Sequence, residues 1–133
     1  MRIALAFTAA LLSSWAVQAA SLAEQYVTTA ARAANEGYAK ALPNDGVTKS
    51  ARAFAEGNTL VHEHVLAIRR DVTAEQLAAW RAATRGEVVP STCAHFKNDE
   101  FFNTRDVRVR YRYVDRESRV LDDFTVGKST CAR

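Results

Sequence analysis

The sequence predicts an α+β domain: two main helices and two β-hairpins in the order α-β-β-α-β-β, with a small antiparallel sheet and one disulfide. Three observations predict it. Capping-box patterns open two helical stretches, Gly57-Asn58 divides two alternating runs, and residues 106–113 alternate strictly before a second turn. With 133 residues, 48% apolar and 25% charged, the composition is that of one compact soluble domain. It excludes a disordered tail, a collagen-like fibre and a multi-helix membrane protein, since the apolar content and run lengths are wrong for each.

The chain opens with Met1-Arg2 and an apolar run through Leu12, one positive charge before a segment too short to span a bilayer. Such a segment is an export signal rather than a membrane helix. Small residues at Val17-Gln18-Ala19 place cleavage after Ala19, so residues 1–19 read as a signal peptide and 20–133 as a single domain. No Cys lies near the cleavage site and no later run is long and apolar, so no membrane anchor is expected, and the product is periplasmic or secreted. Without Arg2 the chain keeps 17 basic against 15 acidic side chains, a balance too even to draw nucleic acid by long-range attraction.

Ser21-Leu22-Ala23-Glu24 is a capping box leading into an Ala-rich helix that runs to about Leu42. Its larger apolar residues, Leu22, Tyr26, Val27, Tyr38 and Leu42, form a narrow stripe able to lie close against a sheet. Pro43-Asn44-Asp45-Gly46 stops it. From Val47 to Ala67 the pattern turns to short alternating runs about Gly57-Asn58. A two-residue turn there sets Arg52 opposite Glu63, Ala53 opposite His62 and Phe54 opposite Val61. Both faces carry apolar groups, so the pattern leaves the core face open.

Thr73-Ala74-Glu75-Gln76 begins a second helix to about Arg85, with Leu77 and Trp80 pointing inward. Pro90 suits the first turn of a new helix, because proline within a helix costs about 3 kcal/mol. Asn98 or Asp99 caps a short turn through Phe101 and Phe102. The last hairpin alternates from Asp106 to Tyr113, turns at Asp115-Arg116-Glu117-Ser118 and returns from Val120 to Val126. A turn centred on Arg116-Glu117 sets Val107 opposite Val126, Val109 opposite Phe124 and Tyr113 opposite Val120 on the core face. The other face then pairs Arg110 with Asp123, Arg108 with Thr125 and Arg112 with Leu121.

Cys93 and Cys131 are the two cysteines, an even count in an exported chain, and are expected as one disulfide. The C-terminal third, with Cys93, Phe101-Phe102, Val109-Arg110-Tyr111-Arg112-Tyr113-Val114-Asp115, Leu121 to Val126 and Cys131, resembles small exported proteobacterial proteins described as quorum-sensing-regulated virulence factors. The resemblance implies the same order of elements, an exported location and a bridge from the second helical region to the C-terminus. It implies no catalytic residues. His62 and His64 stand where that group has aromatic residues in its central strand.

Two constellations carry possible chemistry. His62 and His64, two apart on a strand, share one face and could hold a zinc or copper ion if a third ligand, His95, reached them; the alternative is a pair of half-polar aromatics beside Ala51 and Ala53. Arg108, Arg110 and Arg112 form a second stripe. With Asp123 taking one of them, Arg108 and Arg112 could bind an anion or an acidic partner surface, or simply solvate the sheet. No Gly-x-Ser-x-Gly elbow and no marked carboxylate pair supports hydrolysis. The reading is therefore a non-catalytic exported interaction protein of the virulence-factor type, with a protein partner and no cofactor. The alternative is an inhibitor, immunity or secretion-accessory (pilotin-like) protein, and the third is a metal-binding protein using the histidine pair.

Overall fold

The computed structural model describes residues 7–132, with side chains from Leu22 onward. The start of the expected export signal, residues 1–6, lies outside the described residues, as do the side chains of the rest of it. The order is helix α1 (Phe7–Lys40), strands β1 (Thr48–Glu56) and β2 (Thr59–Leu66), helix α2 (Ala74–His95), a short helix α3 (Glu100–Thr104), strands β3 (Arg108–Asp115) and β4 (Val120–Val126), and a single turn α4 (Lys128–Cys131). The four strands form one sheet in the order β1-β2-β3-β4. Each hairpin is antiparallel, and the seam between β2 and β3 is parallel, so the sheet is mixed. The α2 segment makes the long crossover that a parallel pair requires.

Helix α1 passes through Ser21 instead of starting there, because the Ala- and Leu-rich stretch before it is itself a strong helix former. The buried stripe is centred on Val27 and Ala31, with Tyr26, Ala30, Ala34 and Tyr38 beside them; Leu22 and Leu42 are exposed, contrary to expectation. Small residues on both sides let the helix approach closely, since β1 offers Ala53 to it. In β1, an edge strand, the amide of Asn35 receives the Ala53 N–H at 2.7 Å and donates to the Ala53 carbonyl at 2.8 Å. That side chain takes the place of a neighbouring strand. Replacing Asn35 with Ala is expected to cost about 1–3 kcal/mol in chemical denaturation and to promote concentration-dependent association through the freed edge, measurable by sedimentation.

The first hairpin has the predicted register, with Arg52 opposite Glu63, Ala53 opposite His62 and Phe54 opposite Val61. Gly57 takes φ 61° at the first central position of its turn, where a side chain would be strained. In the second hairpin the register is displaced by two residues: Val109 faces Val126, Tyr111 faces Phe124, and Arg112 faces Asp123. The cause is local. The Asp115 carboxylate accepts the N–H groups of Glu117 and Arg119, Ser118 takes φ 63°, and a bulge follows at Leu121, so the loop is longer than a two-residue turn. Val120 is consequently exposed rather than in the core.

Helix α2 starts at the predicted Thr73 capping box but runs unbroken through Pro90 to His95. Packing on both sides of the proline offsets the lost hydrogen bond, with Leu77, Trp80 and Val89 before it and Cys93 and Phe96 after it. Asp99 caps α3 through the Phe102 N–H. The expected Cys93–Cys131 disulfide is present, with Cα atoms 5.4 Å apart, and ties α2 to α4 beside the end of β4. Both main helices lie on the sheet face that carries Ala53, Leu60, Leu66, Val109, Tyr113 and Val126.

Candidate functional site

Helix α2 is long, yet only Thr92 along it is fully buried. Its C-terminal half is moored by the disulfide, by Thr92 Oγ1 to Tyr111 Oη at 2.5 Å, and by a bidentate Arg85–Asp122 pair; Arg81 Nε also donates to the Leu121 carbonyl at 2.6 Å. Its N-terminal half reaches the sheet through Leu77 and Trp80, which pack against the cluster of Leu66, Tyr113 and Leu121. The space beneath is a groove of about 1300 Å³, walled by Leu77, Trp80, Thr84 and Val88 of α2 and by Tyr38 of α1. Such a volume exceeds the usual range for small-molecule pockets.

The groove floor is a double row of rings. His62 and Tyr111 are register partners on β2 and β3 and stack at 5.4 Å, and His64 and Tyr113 do the same at 5.1 Å. Tyr38 meets both histidines edge-on, and its hydroxyl lies 2.7 Å from His62 Nδ1. Trp80 stands edge-on to Tyr113. Burial pushes the His62 imidazole down to about 4, with the neighbouring His64 adding to the shift, and it lowers His64 as well, against an opposing pull from Asp45. Burial also pushes Tyr38 up to about 12 and raises Tyr111 and Tyr113. The floor is thus uncharged at neutral pH. The charged groups Asp45, Arg69, Asp71 and Glu87 also line the groove, with Arg69 and Asp71 paired at 3.0 Å.

The sequence reading placed His62 and His64 on one face, and the structure puts them there beside Ala53 and Ala51. His95 is not brought to them: it closes α2, edge-on to Phe96, and does not line the groove. Among the described residues no three His, Cys, Asp or Glu side chains gather as a metal site requires. The wall of α2 and the contact of Tyr38 were missed. The spacing of Trp80, Thr84, Val88 and Thr92, one step of four after another, was the available signal for one helix face.

The arginine stripe lies on the opposite sheet face, which no described helix covers. Arg110 makes the expected ion pair with Asp123, at 2.6 Å and 2.8 Å, although Thr125 is its register partner. Arg108 is held by Asp106 in a bidentate pair, and Arg112 lies 3.7 Å from Glu63, which Arg52 bonds at 2.9 Å. Beneath this ladder Val61 is wholly buried, flanked in register by Phe54 and Arg110. The long side chains shield apolar surface as well as pairing charge.

No family model and no curated protein matches the chain. Three solved structures do. The type II secretion system pilotin AspS of Vibrio cholerae is 18% identical with a TM-score of 0.56, covering 86% of this chain and 97% of its own. A Pseudomonas aeruginosa protein described as secreted is 14% identical with a TM-score of 0.57, covering 84% and 98%. The pilotin EpsS of the Vibrio vulnificus type 2 secretion system is 13% identical with a TM-score of 0.52, covering 82% and 94%. At these identities the chain shares with two pilotins and a secreted protein one α+β fold, spanning nearly the whole length of each.

Proposed function

We propose that this chain is an exported, non-catalytic accessory protein of a secretion apparatus, which holds a segment of a protein partner in the groove between α2 and the sheet. The groove carries the reading: at about 1300 Å³ it is above the usual size of a small-molecule site, and its aromatic floor and the apolar side chains of α2 suit a segment of a protein partner. The fold shared with two pilotins favours secretion over the virulence-factor and inhibitor readings, which the same groove would otherwise serve. Export fits the disulfide, because such bridges persist in oxidising compartments. Residues 1–19 act as the leader, and N-terminal sequencing of the mature product is expected to begin at Ala20.

A photo-crosslinking residue at Thr84 tests the role in the native cell. It should yield one adduct, identified by mass spectrometry as a secretion-apparatus component, while the same residue at Thr125 on the opposite face yields none. Equal labelling from both positions, or adducts only with unrelated proteins, would defeat the proposal.

A further inference from the structure

The polar atoms of the groove floor fall into two sets. Tyr38 bonds His62 and Tyr111 bonds Thr92, so those groups are satisfied within the chain. His64 and Tyr113 differ. They are 7% and 8% exposed, more than nine-tenths buried, and among the described residues neither ring makes a side-chain hydrogen bond. Nor are their polar atoms sealed: the only sealed side-chain nitrogen or oxygen without a partner there is Nε of Arg112, on the other face. Both residues line the groove, so their unused donor and acceptor positions open onto it.

Leu66, Leu77 and Trp80 pack against Tyr113, and the Asp45 carboxylate that acts on His64 is already taken up by the Thr48 hydroxyl and the N–H groups of Val47 and Thr48. Both rings are held uncharged by burial. A charged group set down here would lose its water for two neutral partners, whereas an amide or hydroxyl would exchange water for matched hydrogen bonds. A wholly apolar occupant would leave the imidazole and the phenol dry and unpaired.

We propose that His64 and Tyr113 read one uncharged hydrogen-bonding side chain, Asn, Gln, Ser or Thr, in an otherwise apolar segment of the protein partner. This rests on the groove being the partner site. The two rings act as a specificity pair: the apolar side chains beside them supply adhesion, and the pair sets the register of the bound segment.

The test is selection of displayed 14-residue random peptides against the oxidised mature protein, repeated with Tyr113→Phe and with a His64→Phe, Tyr113→Phe double variant, both of which keep the stacked rings. Peptides from the parent should share apolar residues around one position held as amide or hydroxyl. Replacing that side chain by Leu or Ala in a synthetic peptide should weaken binding about tenfold or more to the parent and leave the double variant unmoved. A Trp80→Ala variant should lose the peptides altogether. Peptides that require Trp80 but show no polar preference, or hold a Lys, Arg, Asp or Glu there, overturn the specificity pair while the groove stands. Peptides indifferent to Trp80 overturn both.

Discussion

Replacing Cys93 and Cys131 together with alanine is expected to lower folding stability by about 4 kcal/mol, since the bridge closes a loop over a separation of 38 residues. Urea denaturation of the oxidised parent and the double variant measures it, and a difference below about 1 kcal/mol would show that the bridge is not a principal brace. The loss should be uneven across the molecule. Cys93 and Cys131 pack into the cluster of Phe102, Val109 and Val126, and along α2 only Thr92 is fully buried. Amide exchange should therefore quicken along α2 more than along the stretch of α1 that packs through Val27 and Ala31.

Acid is expected to destabilise the protein in two separate steps. His62 is held near 4 in the folded chain against 6.5 for the free imidazole, so the unfolded chain takes up more protons between those values. Its contribution is complete above about 6.5, falls as the pH drops toward 4, and then levels off, a loss of about 3 kcal/mol. His64 acts in the same direction. The carboxylates of Asp122 and Asp123 are held below their usual range, by hydrogen bonds from Arg85 and Arg110 respectively. Their contribution is present above the ordinary carboxylate range and is lost only below it. Denaturation midpoints between pH 8 and pH 3 should show both steps, and His62→Phe should flatten the upper one while sparing the lower. An unchanged slope between pH 6.5 and pH 4 in that variant would remove His62 as its source.

How far the sequence can be read depends on how local each determinant is. Gly57 pins the first hairpin because a short turn with glycine at positive φ fits there, and the cross-strand pairs from Glu56 back to Ser50 follow from it, up to an irregularity before Thr48. The second hairpin resisted because its loop depends on side-chain bonds from Asp115 and a bulge at Leu121, neither of which alternation reveals. The faces were still legible, since a displacement of two residues preserves parity. The Arg110–Asp123 pair survived for a different reason: a long guanidinium reaches a diagonal neighbour. Pro90 misplaced the end of α2, because its cost is local while the packing that offsets it is not. The parallel seam and the groove left no signal of their own, since both arise only when distant elements meet. Of the site, the shared face of His62 and His64 was readable, and the rings that sandwich them were not.

The parallel seam also orders events in time. It joins Thr59 to Arg108 and Leu66 to Asp115, partners that are roughly fifty residues apart, whereas each hairpin zips across its own turn. As the chain emerges from its N-terminus, the first hairpin can close early, and its inner strand must then wait with an unmatched row of amides until the last quarter of the polypeptide arrives. That interval is when a chaperone or a protease has its best access to the nascent molecule.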